Sequence, residues 1–241
     1  MLASGTFLLA GTVKGAVGLG LPMTAIGILS QAIDPRIAIP LVVFPAMLSN
    51  VWQVWRMGET RRALKDYWIF AVFLIVVLWF TTSITAQVSK GTLLVILGSA
   101  VILFSASSLL AQPPRLPARY DRPAQAVAGA LAGLLGGLTA IWAPPMVIYL
   151  LARRVGKDEF VRASGLLLLV GTLPLAAGFW HHGLLDGEVA PLSALMVLPT
   201  IAGFQIGAMI RKRMDAQRFQ SVVLMVFFLL GLNILRQGLW P

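Results

Sequence analysis

Cysteine is absent from the 241-residue chain, which excludes disulfides, thiolate metal sites and a cysteine nucleophile. Acidic residues are scarce, nine in all. Asp34, Glu59, Asp66, Asp121, Asp158, Glu159, Asp186, Glu188 and Asp215 each fall in or beside a polar loop. No carboxylate is therefore set inside an apolar run, where proton-driven pumps commonly keep a relay. Charge of either sign is low, 12% of residues against about 25% in soluble domains. HExxH, a P-loop and GxSxG are missing, and the serine of "RASG" at 162–165 has no base nearby; an intramembrane enzyme lacks its chemistry here. His181 and His182 are adjacent, so they point apart on a helix, with only Asp186 and Glu188 near them. No metal site and no cofactor is expected. The opening "MLASGTFLLAGTVKG" has no basic residue before its apolar stretch, unlike a cleavable signal peptide, and reads as the first membrane element.

What the chain does have is apolar length. Hydrophobic residues make up 58%, and the mean hydropathy is +0.86. That balance is that of an all-α polytopic membrane protein, long enough for roughly six to eight spans of about 20 residues. The net charge of +10 fits Lys and Arg collected in loops that face anionic headgroups. Nucleic acid is not an expected partner, because no basic run is interleaved with exposed aromatics.

Eight apolar segments stand out, at 5–30, 37–56, 67–87, 91–111, 124–151, 160–180, 189–210 and 221–235. A Pro- and Arg-rich linker, "AQPPRLPARYDRPAQ", cuts the chain near its middle. The two halves resemble each other. "LAGTVKGAVGLGLPM" from Leu9 aligns with "LAGLLGGLTAIWAPP" from Leu131 at a constant offset of 122, which sets Gly11 on Gly133, Gly15 on Gly137 and Pro22 on Pro144. Further on, "WRMG" at 55–58 parallels "WHHG" at 180–183. The expected organisation is repeat 1 over 1–111, a cytoplasmic linker over 112–123 and repeat 2 over 124–241. Each repeat has one Gly/Pro-broken segment followed by three ordinary ones, and the whole forms one transmembrane transport domain. Paired interrupted segments point to a transporter binding site.

Loop charge sets the topology. Arg56, Arg61, Arg62 and Lys65 follow segment two; Arg115, Arg119 and Arg122 lie in the linker; Arg153, Arg154, Lys157 and Arg162 follow segment five; Arg211, Lys212, Arg213 and Arg218 follow segment seven. The loops after segments one and three carry only Arg36 and Lys90, and that after segment six carries none. If all eight segments spanned, these basic loops would divide between the two sides, against the positive-inside tendency. If segments one and five instead dip in and return, all four basic loops share one face. Each repeat then crosses three times, so the halves are inverted and both termini lie outside. Eight full spans, with segments one and five merely kinked, is the alternative.

A helix broken inside lipid leaves backbone groups without partners, so the break belongs beside a cavity. A half-helix starting there aims free N–H groups and the positive end of its dipole at the contents. The first break is "GLGLP", Gly18 to Pro22, and the second "TAIWAPP", Thr139 to Pro145. Two such tips meeting near the midplane would make an anion site without any carboxylate. Gly11 and Gly15, four apart, also suit close helix packing. Lys14 either snorkels to an interface or takes a transported anion as its counter-ion. Asn50 and Gln53 share a helix face and serve substrate or helix packing; Trp142 sits in the second break and would wall the cavity. Arg162 heads segment six, as a cytoplasmic anchor or on the substrate path.

"FLLAGTVKGAVGLGLPM" followed by "DPRIAIPLVVFPAMLSNVWQVWR" resembles the opening of the sulfite exporter TauE/SafE family, and "GALAGLLGGLTAIWAPPMVIYLLARRVGKDEFVRAS" resembles its second repeat. The resemblance covers nearly the whole chain. It implies a bacterial inner-membrane permease for small sulfur-containing anions such as sulfite, sulfoacetate or other organosulfonates, usually moved outward. It carries function onto Gly15, Gly18, Gly20 and Pro22, and onto Gly137, Pro144 and Pro145. The family tends to have a glycine pair before the second proline, where this chain has Trp142 and Ala143; the bulk of Trp142 bears on which anion fits. The expected site is Lys14, Gly15, Gly18, Gly20, Pro22, Asn50, Gln53, Gly137, Thr139, Trp142, Pro144, Pro145 and Arg162. Expected partners are a small anion and the bilayer, with a homodimer allowed. A non-transporting membrane subunit that assists assembly of a partner complex is the second reading.

Overall fold

The structure, a computed structural model, describes residues 2–58, 60–85, 87–110, 114–213 and 216–240. Glu59, Asp215 and residues 111–113, where repeat 1 was expected to give way to the linker, lie outside them. Twelve α-helices form among the described residues, and no strand. They are α1 (Leu2–Val17), α2 (Leu21–Leu29), α3 (Pro35–Leu41), α4 (Val43–Met57), α5 (Thr60–Thr85), α6 (Lys90–Leu110), α7 (Asp121–Thr139), α8 (Ala143–Ala152), α9 (Lys157–His181), α10 (Val189–Leu195), α11 (Val197–Arg213) and α12 (Ala216–Leu239). Five stretches among the described residues are long and apolar enough to cross a membrane, within Pro35–Trp55, Thr60–Thr85, Lys90–Leu109, Glu159–His181 and Val189–Ile210. Large apolar side chains such as Trp55, Phe80, Leu103 and Leu198 stand exposed on the outer surface. In a soluble protein that would be a liability; against lipid it is the expected finish.

Segments two and seven are each split in a place the apolar pattern does not mark. α3 ends at Leu41 and α10 at Leu195. Pro45 and Pro199 stand four residues on, and proline cannot donate to the carbonyl four residues before it. The freed Leu41 carbonyl does not stay bare: Ser193 Oγ of α10 donates to it at 2.9 Å and accepts the Phe44 N–H at 3.2 Å. The two bends thus hold each other.

Glycine decides the closest helix contacts. α1 lies along α11, with Gly11 against the Thr200 backbone, Gly15 against Phe204, Gly203 against Leu8 and Gly207 against Thr12. At each of the four, a Cβ would collide with the facing backbone. α7 lies along α5 in the same manner, with Gly129 on Phe70, Gly133 on Leu74 and Val77, and Gly137 on Thr81. The pairing is reciprocal: the first helix of each half packs on the third segment of the other half. α6 and α12 run antiparallel through Gly91–Gly238 and Gly98–Gly231, and α4 crosses α9.

α7 climbs beside α5 while α8 comes back. Near the end of α8, Tyr149 Oη donates to Asp121 Oδ1 at 2.8 Å, and Arg153 Nε stands 3.6 Å from the same carboxylate at the start of α7. Leu116 N–H of the linker bonds to the Ala152 carbonyl at 2.8 Å. α2 follows α12, with Gly27 near Leu230 and Ile234 and the Gln31 side-chain Oε1 accepting from Asn233 Nδ2 and Gln237 Nε2.

Candidate functional site

Both breaks lie where the sequence puts them, and their caps match residue for residue. α1 stops as Gly18, at φ 89°, turns its N–H onto the Lys14 carbonyl at 2.7 Å. α7 stops as Ala140, at φ 56°, turns its N–H onto the Gly136 carbonyl at 2.8 Å. Gly18 and Ala140 are 122 apart, as are Lys14 and Gly136. The left-handed position is free of strain for glycine and costs about 1–2 kcal/mol for alanine. The halves part company two residues on. Gly20, the N-cap of α2, has φ 98°, whereas its counterpart Trp142, the N-cap of α8, has φ −115°. A negative φ is open to any side chain, which is why tryptophan can stand where the first half requires glycine.

The two tips meet. Leu19, Gly20, Leu21, Pro22 and Met23 from the first break and Ala140, Ile141, Trp142 and Ala143 from the second line one cavity, closed by Lys14, Ala46, Asn50 and Leu168. Its volume is about 30 Å³, room for one or two groups of water size. Trp142 is fully buried among neighbours shaped for it. A Cβ on Gly171 would come 2.8 Å from its Cε2 and one on Gly136 3.1 Å from its Cε3, and its Nε1 donates to the Leu167 carbonyl at 3.4 Å.

Lys14 is the one charged residue lining this cavity and is 3% exposed. Its ammonium points inward: Nζ donates to Ser49 Oγ at 2.9 Å and to Asn50 Oδ1. Asn50 is held in turn, Nδ2 donating to Thr172 Oγ1 at 3.1 Å. An ammonium carries three donors, so two neutral oxygens leave one hydrogen and the whole charge uncompensated; no carboxylate lines the cavity. Backbone donors add to this field. α2 begins with the N–H groups of Gly20, Leu21 and Met23 outside its own ladder. α8 offers fewer, because Pro144 and Pro145 occupy its first turn and have no N–H.

Of the expected site residues, Lys14, Gly20, Pro22, Asn50 and Trp142 come together on this cavity. Gly18 forms the adjacent cap. Thr139 lies just behind the second break, its Oγ1 accepting the Ile141 N–H at 3.2 Å, and Pro144 and Pro145 start α8. Gly15 and Gly137 face partner helices instead. Gln53 is also elsewhere, bonded through Nε2 to the Val161 carbonyl at 3.3 Å beside Gly165. Arg162 lines a separate polar cavity of about 260 Å³ with Arg62, Asp66, Tyr67, Arg153 and Glu159, where Tyr67 Oη donates to Glu159 at 2.5 Å. Ser49 joins the site as Lys14's partner. Its only sequence signal is a hydroxyl in an apolar run, one residue before Asn50. Among the described residues no cluster of His, Asp or Glu is placed to hold a metal.

Residues 3–234 match the family described as sulfite exporter TauE/SafE. No curated protein and no solved structure matches the chain.

Proposed function

The chain belongs to the sulfite exporter TauE/SafE family, a multi-pass membrane family of transporters, and from that premise we propose that it exports small sulfur-containing anions (sulfite, sulfoacetate or other organosulfonates) through a site between its two broken helices. The observation that carries this reading is that both breaks line one cavity whose single charge is Lys14. At membrane depth a buried lysine costs about 2.5–3.5 kcal/mol, and an oxyanion between the α2 and α8 tips would offset that cost. The cavity binds the anion by ammonium, amide N–H and helix dipole, and no covalent step is required.

The proposed setting is a bacterial inner membrane, with segments one and five re-entrant, the halves inverted and both termini outside. Support comes from the return of α8 to the start of α7 and from the reciprocal packing of α1 on α11 and α7 on α5. Outward movement of an anion from a cell that is negative inside runs with the potential, worth about 2.3 kcal/mol per charge per 100 mV, so export needs no coupling ion.

Proteoliposomes containing the purified chain test the reading directly. Sulfite flux is expected with the wild-type chain and at least a tenfold loss with Lys14→Ala. Flux that survives Lys14→Ala removes the lysine from the site, and failure to move any sulfur oxyanion or sulfonate removes the substrate class.

A further inference from the structure

A second opening lies one side chain away from Lys14. Between α4 and α11 runs a groove of about 560 Å³, walled by Leu48, Val51, Trp52, Trp55, Ile201 and Phe204 among others. This size is that of a pocket for a small organic ligand, and its walls are almost wholly apolar. Ser49 belongs to both places. Its Oγ accepts from Lys14 Nζ at 2.9 Å, and its side chain also lines the groove. Phe204, on the opposite wall, packs against Gly15, the residue next to Lys14. One serine hydroxymethyl group is thus the partition between the buried ammonium and the groove.

The groove is not a by-product of the repeat. The matching helix pair in the other half, α5 and α9, is closed at the corresponding level, where Thr82 packs onto Gly178; the polar cavity at Tyr67 and Glu159 lies at the other end of that pair. Nor can the central cavity accept more than a headgroup, at about 30 Å³. A cation behind a thin polar partition, with an apolar trough in front, matches an anionic head joined to an alkyl chain.

We infer that the α4–α11 groove is the tail subsite of the transport site, so that the preferred anion is an amphiphilic alkanesulfonate, its head on Lys14 past Ser49 and its chain between the two helices. This rests on Lys14 being the anion ligand of the proposed permease. Each methylene buried in the groove tightens binding about fourfold.

The test uses the purified chain in phosphatidylcholine vesicles and ω-bromoalkanesulfonates of four to eight carbons, whose bromine quenches Trp52 and Trp55 on contact. Saturable quenching is expected, tightening about fourfold per carbon and weakening at least tenfold in Lys14→Ala. Val51→Phe and Ala208→Phe fill the groove from its rim and should flatten the chain-length series while sulfite flux continues. Partition into lipid would keep its slope in those variants. A slope that persists there, an equal slope for alkyltrimethylammonium ions, or displacement by phosphatidylglycerol overturns the proposal, the last by making the groove a lipid site. Absent sulfite flux with Lys14-dependent quenching would sink the permease reading alone; normal sulfite flux with a flat series would sink the tail subsite alone.

Discussion

Asn50 Nδ2 donates to Thr172 Oγ1 at 3.1 Å, and the two residues are 122 apart, the same offset that aligns the two glycine motifs. In the inverted arrangement proposed above, a contact between equivalent residues of the two halves falls on the axis that relates them. The pair stands against Lys14, so the two halves touch at the candidate site.

Asn50→Asp follows from that geometry. The new carboxylate would face Lys14 and give it a permanent counter-ion. The folded chain should be retained, and sulfite flux should fall by at least a hundredfold, about 2.7 kcal/mol. Thr172→Val only unties the Asn50 amide, a loss of about 1 kcal/mol, and should reduce flux about fivefold. Flux in Asn50→Asp equal to wild type would mean that no anion sits on Lys14.

Ala140 and Gly18 occupy the same left-handed cap in the two halves, but only the glycine is at ease there. Ala140→Gly should stabilise the chain by about 0.5–1 kcal/mol, and Gly18→Ala should destabilise it by about 1 kcal/mol. Thermal unfolding in detergent reads both; a lower midpoint for Ala140→Gly would contradict the strain.

The contact of Gly203 with the Leu8 carbonyl leaves no room for a side chain. Gly203→Val should force α11 off α1 and cost about 3 kcal/mol, with a matching loss for Gly133→Val between α7 and α5. Gly5→Val is the control, since a Cβ there meets nothing within 4 Å. Yield of folded protein by size-exclusion chromatography separates the three.

The fold-back of segments one and five can be read by cysteine labelling in the cysteine-free chain. Ser4→Cys and Ala32→Cys should react from one face of sealed vesicles. Ala118→Cys and Gly156→Cys should react from the other. Labelling of positions 4 and 32 from opposite faces would restore eight full spans.

The sequence by itself determined the class of molecule, the number of apolar segments and the position of both breaks. Those features rest on local chemistry: apolar length, glycine at positive φ, and proline in the first turn of a helix. It also marked Lys14 and Asn50 as polar residues that needed a reason. The bends at Val42 and Met196 were written there too, in Pro45 and Pro199, but a proline four residues past a helix end is easily lost in an apolar run. What only the tertiary structure decided was which side chains share a space. Gly15 and Gly137 carry the same motif as Gly20 and Pro22, yet they turn to partner helices, because a break rotates the chain and the facing backbone claims whichever glycine it meets. Gln53 and Arg162 sit within a few turns of the cavity and still look elsewhere, a matter of helix rotation that spacing alone does not fix. Ser49 became Lys14's partner, and the wall of a groove, only when α4 packed on α9, within reach of the Lys14 ammonium and with open space between it and α11. Contacts between segments depend on how helices pack across the whole bundle, and no local pattern encodes that.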